Sequence, residues 1–142
     1  VGTTTLSVYN VHIQVQVDTS ASPIGFVRSA RDRFDNRRMQ YRAIADDVAA
    51  NPNQSVVMGD FNTSPAMHDT RVFDGLLRDA ISASRSIYPV SWQAQGPLQL
   101  WRVDRTFTTD QLTVHDYALV DPGGRSDHAL QRVVVSVRGQ DG

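Results

Sequence analysis

Hydrophobic and polar residues alternate over several short stretches of the chain, and this period of two predicts β-strands. The first stretch covers residues 6–17, with an irregularity near Asn10 that predicts a bulge or bend. Further strands are expected at residues 55–58, 103–108, 112–120 and 130–137. The last of these has Val133, Val135 and Val137 in strict alternation, which is typical of a strand with one buried face.

Helical spacing of hydrophobic residues occurs in two places. Residues 34–49 place their large apolar side chains on one face of a helix, and the Asn-Pro-Asn sequence that follows ends it. Residues 18–25 are rich in Ser, Pro and Gly and predict a loop, whereas residues 82–100 show no regular pattern. A second helix is expected to begin at Ser64, with a buried side formed by Val72, Phe73, Leu76 and Leu77.

Strands outnumber helices in this pattern, and helices lie between some of the strands. A layered α/β or α+β architecture follows. The 142 residues fit one compact domain, and a hydrophobic content of 40% is sufficient to build a core. No internal repeat is visible, so we expect a single domain over residues 1–142.

Composition and charge narrow the classes of function. The formal net charge of −1 argues against a protein that holds nucleic acid on a broad basic surface, although an enzyme can attract phosphate with a bound metal and a few arginines. The absence of Cys excludes a disulfide framework, a thiolate zinc site and a cysteine nucleophile. No apolar run approaches the roughly 20 residues that span a bilayer. The compartment stays open, and an extracytoplasmic or membrane-tethered domain is compatible with the sequence.

Polar and ionisable residues cluster where predicted strands meet loops. The clusters are at residues 10–12 (Asn-Val-His), 59–62 (Gly-Asp-Phe-Asn) and 126–128 (Ser-Asp-His), with a weaker fourth at 102–104 (Arg-Val-Asp). Each cluster alone is more typical of a turn or an ordinary strand entry. Together they supply carboxylates, amides and imidazoles, which suit a hard metal ion and a proton-transfer pair. Hydrolysis of a phosphate ester needs such groups, because water must be deprotonated and the phosphoryl charge must be neutralised.

The same residues resemble the signatures of the endonuclease/exonuclease/phosphatase superfamily. Residues 56–65, VVMGDFNTSP, look like its central GDFN signature, and residues 124–128, GRSDH, look like its terminal SDH signature. The Asn-x-His element, Arg38 with Gln40, and Trp92 followed by Arg-Val-Asp match weaker elements in the same order. The chain is therefore similar to the C-terminal half of a deoxyribonuclease-I-like domain, a single partial domain.

The resemblance implies the C-terminal half of a four-layer α/β/β/α sandwich, with a mostly antiparallel or mixed sheet and flanking helices. It also implies a hydrolase that breaks phosphodiester or phosphomonoester bonds by attack of water, with Mg²⁺ or Mn²⁺ as cofactor. By this resemblance Asp60 would orient or deprotonate the water, and Asn62 would stabilise the transition state. Asp127 would help to hold the metal.

Two histidines complete the set of implied catalytic residues. His128 would contact the scissile phosphate as an acid or base, and Asp104 would fix its tautomer and orientation. His12 would be the second histidine, which assists the leaving group. The residues after Asp104 are Arg105 and Thr106, where the family often has an aromatic residue.

The superfamily's metal-binding Glu lies in an N-terminal half that this sequence lacks. We therefore expect the 142 residues alone to bind metal poorly and to turn over slowly or not at all. One full face of the sheet is expected to lie bare, and an exposed apolar face of that size favours association. The expected partners are a phosphate-ester substrate, the missing N-terminal half of the same protein, and a second copy in a homodimer through the exposed sheet face.

A rival class of function is a non-catalytic interaction module that keeps the fold. The joint presence of Asp60, Asn62, Asp127 and His128 favours the enzyme, because loss of catalysis would be expected to remove at least one of them. The substrate, whether lipid, small molecule or nucleic acid, stays open. The near-neutral charge fits a phosphatase acting on lipid or small-molecule phosphates somewhat better than a nuclease.

Overall fold

Two main β-sheets, one long helix and short 3₁₀ helices make up the part of the chain that the structure describes. The structure is a computed structural model and describes residues 4–15, 23–93 and 99–138. The strands and the helix are, in order, β1 (Leu6–His12), α1 (Pro23–Ala50), β2 (Gln54–Asp60), β3 (Arg78–Asp79), β4 (Trp92–Gln93), β5 (Gln99–Trp101), β6 (Asp104–Thr108), β7 (Leu112–Val120) and β8 (Leu130–Val137). The 3₁₀ helices are Pro65–Met67, Asp69–Phe73 and Ala80–Ala83.

The first sheet has the strand order β1-β2-β6-β3. β1 and β2 are parallel, and α1 is the crossover connection that a parallel pair requires. β6 is antiparallel to both β2 and β3. The register places His12 opposite Asp60, and it places Asp60 opposite Asp104. Residues from three of the polar clusters therefore meet at one edge of this mixed sheet.

β7 and β8 form a second, antiparallel sheet that packs against the first. Gln131 on β8 joins the two sheets. Its side-chain oxygen accepts hydrogen bonds from Thr106 Oγ1 at 2.8 Å and from the Tyr117 hydroxyl at 3.2 Å. Its side-chain nitrogen donates to the Gly59 carbonyl oxygen at 3.3 Å. The second sheet thus covers the part of the first sheet that β2 and β6 form.

The hydrophobic core lies between α1 and the first sheet. Its buried side chains include Tyr41, Ala45, Val48, Val57, Phe61, Phe73, Leu77 and Phe107. The ring of Phe107 lies 5.2 Å from the rings of both Phe61 and Phe73, in edge-on contacts. The Tyr41 hydroxyl donates to the Phe61 carbonyl oxygen at 2.8 Å, so the helix also fixes the loop that follows β2.

The mixed α/β architecture and most of the predicted strands are confirmed. β7 and β8 have the bounds expected from the sequence, β2 includes residues 55–58, and β6 covers the expected strand without Val103. β1 is shorter than predicted and ends at His12. Residues 16 and 17 of that predicted strand lie outside the described residues.

The bulge predicted near Asn10 is wrong. The register between β1 and β2 is continuous from Leu6 to His12. Apolar side chains lie on both faces of β1: Val11 packs against the core, whereas Val8 is 60% exposed on the other face. In the sequence, this change of face interrupts the period of two in the apolar residues, and the interruption was the reason for predicting a bulge.

The predicted helices needed two corrections. α1 includes residues 34–49 but begins at Pro23, so the predicted loop is wrong for residues 23–25, and residues 18–22 lie outside the described part. The helix expected from Ser64 is wrong, since two 3₁₀ helices occupy this segment. His68 separates them with a left-handed φ of 58°, which an α-helix cannot include. None of the helices in the described ranges is long and apolar enough to cross a membrane.

The expectation of one fully bare sheet face is also wrong. On the face opposite α1, Val56 and Thr106 are buried because the second sheet lies over them. Among the described residues of the first sheet, the large apolar side chains that stay exposed are those of Leu6 and Val8 on β1, at 39% and 60%. The segment at residues 82–100 is irregular as predicted, apart from the end of the 3₁₀ helix Ala80–Ala83, β4 and the start of β5, and residues 94–98 lie outside the described part.

Candidate active site

The ends of three strands bring the candidate residues together. Asp60 is the last residue of β2, His12 is the last residue of β1, and Asp104 is the first residue of β6. His128 precedes β8 and is joined to the first residue of β4, Trp92, by a β-bridge. Ligand atoms of Asp60, Asp104 and His128 all lie within 4.8 Å of one another. The separate sequence clusters therefore form one site.

Gly59 allows β1 and β2 to approach closely beside Asp60. Its φ is +140°, a conformation that residues with a Cβ rarely adopt. A Cβ at this position would lie 2.0 Å from the Val11 carbonyl oxygen. The glycine of the GDFN sequence is thus required by the strand pairing, and this pairing sets the positions of Asp60 and His12.

Asn62 orients the carboxylate of Asp60. Its backbone N–H donates to Asp60 Oδ1 at 2.8 Å, and its side-chain Nδ2 donates to Asp60 Oδ2 at 3.1 Å. The same Nδ2 donates to the Ile13 carbonyl oxygen at 2.8 Å, next to the end of β1. Both amide hydrogens of Asn62 are therefore donated within the protein. The contact of Asn62 with the transition state, implied by the resemblance, stays a prediction.

Asp104 and His128 form a hydrogen-bonded pair in which His128 Nδ1 lies 2.8 Å from Asp104 Oδ2. The Asp104 side chain is 8% exposed and that of His128 is 30% exposed. Because an ionised carboxylate only accepts hydrogen bonds, we assign the Nδ1 proton to the side of Asp104, which leaves Nε2 to face the site. This is the geometry that the role expected for Asp104 requires.

Electrostatics favour a protonated imidazole at His128. Burial lowers the pKa of His128, but its hydrogen bond with Asp104 and the charges of Asp104, Asp60 and Asp127 outweigh burial, and the net pKa is raised. Burial raises the pKa of Asp104, and its hydrogen bonds with His128 and Ser91 only partly oppose that rise. The shared proton belongs on His128, since imidazole is the stronger base of the two.

The Asp60 carboxylate lies between two imidazoles. Asp60 Oδ2 is 3.7 Å from His12 Nε2 and 4.0 Å from His128 Nε2, beyond direct hydrogen bonding in both cases. The His12 side chain is 76% exposed, whereas that of Asp60 is 15% exposed. One carboxylate oxygen and two imidazole nitrogens therefore border a common space that opens to solvent on the His12 side.

Asp127, the expected metal ligand, lies at the rim of this arrangement. It is exposed, and its Oδ2 accepts a hydrogen bond from Trp92 Nε1 at 3.1 Å. It is not one of the three described residues whose ligand atoms lie within 4.8 Å of one another. The structure therefore places the expected ligand beside His128 without bringing it into the central group.

Ser91, which the sequence did not single out, holds the backbone of Asp104. Its hydroxyl oxygen accepts hydrogen bonds from the N–H groups of Val103 at 2.9 Å and Asp104 at 2.8 Å. Its carbonyl oxygen accepts from the Ala129 N–H at 2.7 Å. One buried residue thus contacts both segments that carry the Asp104–His128 pair. A single serine in an irregular segment gives no sequence signal for this role.

Asp79 is a second residue that sequence reasoning missed. Its carboxylate accepts hydrogen bonds from Arg102 at 3.1 and 2.7 Å and from Arg105 at 2.6 Å. Burial raises the pKa of Asp79, but the two arginines together lower it by more than burial raises it, so the net pKa is below its usual value. Both arginines are buried and flank Asp104 in the sequence. Their hydrogen bonds therefore hold β6 to Asp79, and both guanidinium groups are paired with its carboxylate.

The donor atoms of the site fit a hard divalent cation that takes part of its coordination from other ligands. Asp104 is bound to His128, so the Asp60 carboxylate is the remaining oxygen donor of the central group. Mg²⁺ commonly uses one or two protein carboxylates and completes its shell with water and substrate phosphate. All 15 acidic residues of the chain are Asp. The Glu that the resemblance assigns to the metal would have to come from outside this chain.

Comparisons with known proteins bear on the family and the fold. The pattern of the Endonuclease/Exonuclease/phosphatase family matches residues 2–128. A mannosyl-6-phosphatase from Bacteroides thetaiotaomicron is similar in fold, with a TM-score of 0.59 and 16% identity over 91% of this chain and 50% of that chain. A 3′ phosphatase from Neisseria, bound to a product DNA hairpin, gives a TM-score of 0.68 and 15% identity over 91% of this chain and 60% of that one. A comparison with curated proteins gives no match.

A third similar structure is the human nocturnin catalytic domain with bound sulfate, at a TM-score of 0.56 and 18% identity over 93% of this chain and 46% of that chain. Identities this low show a similarity of fold alone. The fold is a fragment of the family's α/β sandwich. The chain spans about half the length of these structures. Because the family pattern covers most of its length, the chain belongs to the endonuclease/exonuclease/phosphatase family.

Proposed function

We propose that this chain supplies the acid–base residues of a phosphoesterase that depends on Mg²⁺ or Mn²⁺. The observation that carries the proposal is the position of Asp60 between two imidazoles, one of which, His128, is fixed by the buried Asp104. A carboxylate and a fixed imidazole at one site can serve the attacking water and a phosphoryl oxygen together. Membership of a family that includes nucleases and phosphatases supports hydrolysis of a phosphate ester.

Asp60 acts on the water in this proposal. Its two oxygens accept hydrogen bonds from Asn62, so the carboxylate is fixed in orientation before substrate arrives. Oδ2 also borders the open space between the imidazoles and can accept a proton from a water there. Preorganised groups of this kind lower the barrier because they need not reorient during the reaction.

His128 stabilises charge on the phosphoryl group by donating from Nε2. The raised pKa of His128 keeps the imidazolium populated to higher pH than in a free histidine. His12 lies on the other side of Asp60 and assists the leaving oxygen. In a displacement at phosphorus the attacking and leaving oxygens lie roughly in line, so groups on two sides of the site suit the reaction.

Asp127 would help to hold the metal, with further ligands from water, from substrate and from outside the chain. A bound divalent cation neutralises phosphoryl charge and makes a bound water more acidic. The three carboxylates of Asp60, Asp104 and Asp127 outnumber the single imidazolium of His128, so a divalent cation would offset the excess negative charge. The neighbouring arginines, Arg102 and Arg105, direct their guanidinium groups to Asp79.

The rest of the site is proposed to come from an N-terminal half of the same protein, with this chain as the C-terminal half. The support is that the chain spans about half the length of the structures it resembles, and that it contains no Glu. The exposed Leu6 and Val8 on β1 would lie in the contact. A homodimer through this face is the competing arrangement. Light scattering separates them, because a monodisperse monomer of the 142-residue chain contradicts the homodimer.

The proposal is tested by hydrolysis of p-nitrophenyl phosphate and bis-p-nitrophenyl phosphate with Mg²⁺ or Mn²⁺, and with chelator. Both this chain and the longest upstream-extended form of the protein are assayed. We expect activity in the longer protein that chelator abolishes, and little or none in the 142-residue chain. If neither folded protein hydrolyses either ester, the enzymatic proposal fails and the non-catalytic interaction module becomes the better account.

A further inference from the structure

The buried guanidinium of Arg37 joins two segments that lead to the active site. Arg37 is 1% exposed and lies on α1, which carries none of the site residues described above. Its Nη2 donates to Asp69 Oδ2 at 2.7 Å, and its Nη1 donates to the carbonyl oxygen of Gln14. Asp69 lies in the segment after β2, and Gln14 follows β1. One side chain therefore connects the chain beyond two of the strands that end at the site.

The Asp69 contact continues to the residue next to Asn62. Asp69 Oδ2 also accepts a hydrogen bond from Thr63 Oγ1 at 2.8 Å. Thr63 is 1% exposed and directly follows Asn62 in the chain. Asn62 has a left-handed φ of 47°, a conformation that is uncommon for residues other than glycine. The fixed Thr63 side chain therefore helps to hold Asn62 in this conformation.

The Gln14 contact reaches Asn62 from the neighbouring strand. α1 binds both backbone groups of Gln14, since Gln40 Oε1 accepts from its N–H at 3.2 Å and Arg37 donates to its carbonyl oxygen. The preceding residue, Ile13, accepts from Asn62 Nδ2 at 2.8 Å through its carbonyl oxygen. The chain after β1 is thus fixed to the helix beside the point where it binds the Asn62 side chain.

Stability alone does not account for this arginine. Its Nε is buried and has no hydrogen-bond partner among the described residues. A buried ion pair is often no more stabilising than apolar side chains of similar volume, and an unsatisfied buried donor lowers stability further. An apolar residue, however, could not bind two acceptors on different segments at once, which the planar guanidinium of Arg37 does.

We propose that Arg37 is a positioning residue of the active site, which acts through these two sets of contacts to fix Asn62 and with it the Asp60 carboxylate. Asn62 donates to both oxygens of that carboxylate, so a displacement of Asn62 turns the group that accepts the proton of water. The inference rests on the proposed function, because it uses the role assigned there to Asp60. A misplacement of about 1 Å can cost about a hundredfold in rate.

Thr63→Val and Thr63→Ser test the contact through Asp69. Val keeps the branched shape and loses the hydroxyl, whereas Ser keeps the donor and loses a methyl group. The upstream-extended protein is assayed with Mg²⁺ or Mn²⁺ on bis-p-nitrophenyl phosphate. We expect kcat to fall about tenfold or more in Thr63→Val with KM near wild type, and Thr63→Ser to stay within about twofold of wild type. A role in packing alone gives the reverse order, because Ser leaves a cavity.

Arg37→Lys tests the guanidinium itself. Lys keeps a positive charge beside Asp69, so the fold should survive, but its ammonium is a point charge that cannot span both acceptors as a guanidinium does. We expect kcat to fall about tenfold or more here as well. Arg38→Lys is the matched control and should leave kcat unchanged, because Arg38 is exposed and its guanidinium lies over the Phe34 ring at 5.8 Å.

Thr109→Val controls for a simple loss of stability. The Thr109 hydroxyl oxygen accepts a hydrogen bond from the Ser55 N–H at 3.0 Å. Ser55 lies near the start of β2, at the opposite end of the strand from Asp60. This variant removes a threonine hydroxyl of similar kind, so it should lower stability without lowering the kcat of the folded protein.

NMR of the 142-residue chain gives a measurement that does not need activity. The side-chain amide of Asn62 donates to the Ile13 carbonyl oxygen and to Asp60 Oδ2, so its hydrogens should exchange slowly with water. We expect this exchange to be at least about tenfold faster in Thr63→Val and Arg37→Lys. It should be unchanged in the two controls.

The outcomes separate this inference from the proposed function. If the extended protein is active and both Thr63→Val and Arg37→Lys keep wild-type kcat, Arg37 is not a positioning residue and the phosphoesterase proposal stands. If every folded protein is inactive while exchange at Asn62 still rises in these variants, the positioning of Asn62 stands and the catalytic proposal fails. Unchanged exchange in both variants overturns the inference, whatever the activity.

Discussion

Replacing Gly59 by Ala should destabilise the protein more than replacement of any other described glycine. The added Cβ would lie 2.0 Å from the Val11 carbonyl oxygen and 2.9 Å from Val11 N, and these backbone atoms cannot rotate away as a side chain would. Backbone strain at an unfavourable φ costs about 1–3 kcal/mol. Forcing atoms into a filled space costs about another 1–3 kcal/mol, occasionally more. We expect a loss of at least about 3 kcal/mol in the free energy of unfolding.

That loss is a large part of a typical stability of about 5–15 kcal/mol. For a chain of this size it should lower the melting temperature by about 10 °C. The assay is urea unfolding of both proteins followed by circular dichroism. β1 and β2 would separate in the variant, so the effect should also appear as altered amide signals at His12 and Asp60, which this pairing aligns.

Gly75→Ala separates the clash from the backbone strain. Gly75 has a positive φ of 78°, but a Cβ there would meet nothing within 4 Å. Its loss of stability should therefore be limited to the cost of the left-handed conformation, about 1–2 kcal/mol. If Gly59→Ala costs no more than Gly75→Ala, the close approach of β1 and β2 is not what requires the glycine, and the reasoning is refuted.

Three further variants test the groups around the site. Asp104→Asn removes the charge that raises the pKa of His128 but leaves the burial that lowers it, so the pKa should fall in an NMR titration with chelator present. The raised pKa in the wild type adds stability at low pH that is lost as pH rises through the folded pKa, and the variant should lose this dependence. Asp79→Asn leaves Arg102 and Arg105 buried without their counter-charge, and should cost about 3 kcal/mol of stability at neutral pH. Ser91→Ala leaves two backbone N–H groups without an acceptor, and should cost about 2–4 kcal/mol in urea unfolding.

Each variant has a control within the chain. An unchanged His128 pKa in Asp104→Asn contradicts the assigned pairing, and the control Asp110→Asn, at a carboxylate paired with Arg78, should leave the His128 pKa unchanged. The lowered pKa of Asp79 gives stability that is present above its unfolded pKa and lost as pH falls through the folded one, so Asp79→Asn should lack this acid dependence. Ser82→Ala, at an exposed serine, should change stability by less than about 0.5 kcal/mol, and a similar value for Ser91→Ala would remove its assigned role.

Elements with a strong hydrophobic period were the predictable part of the fold. β7, β8 and the core-facing side of α1 follow from their sequences, because burial of one face imposes the period. The segment after β2 does not follow the local signal. Arg37, almost fully buried, pairs with Asp69 at 2.7 Å, and His68 takes a left-handed conformation. Such long-range contacts override the helix start at Ser64.

The central residues of the site could be predicted from the sequence, but their supports could not. The GDFN and SDH signatures indicated Asp60 and His128. In the structure, the strand register places Asp60 opposite Asp104, and His128 forms a hydrogen bond with Asp104. The hydrogen bonds from the Val103 N–H to Ser91 and from Arg105 to Asp79 join residues 12 and 26 positions apart. No local pattern records such pairings. The same limit explains why the sheet face was expected to be bare, since the sequence does not show that the second sheet covers β6.

The most direct test of the central claim is the activity of Asp60→Asn in the upstream-extended protein with Mg²⁺ or Mn²⁺. Asn keeps an oxygen for the Asn62 backbone N–H but loses the carboxylate charge, so the fold should survive while the attack of water does not. We expect kcat/KM to fall by at least about a hundredfold. The matched control Asp110→Asn breaks only an exposed ion pair with Arg78 and should stay near wild type. A folded Asp60→Asn protein with wild-type kcat/KM would contradict the proposal that this site carries out the hydrolysis.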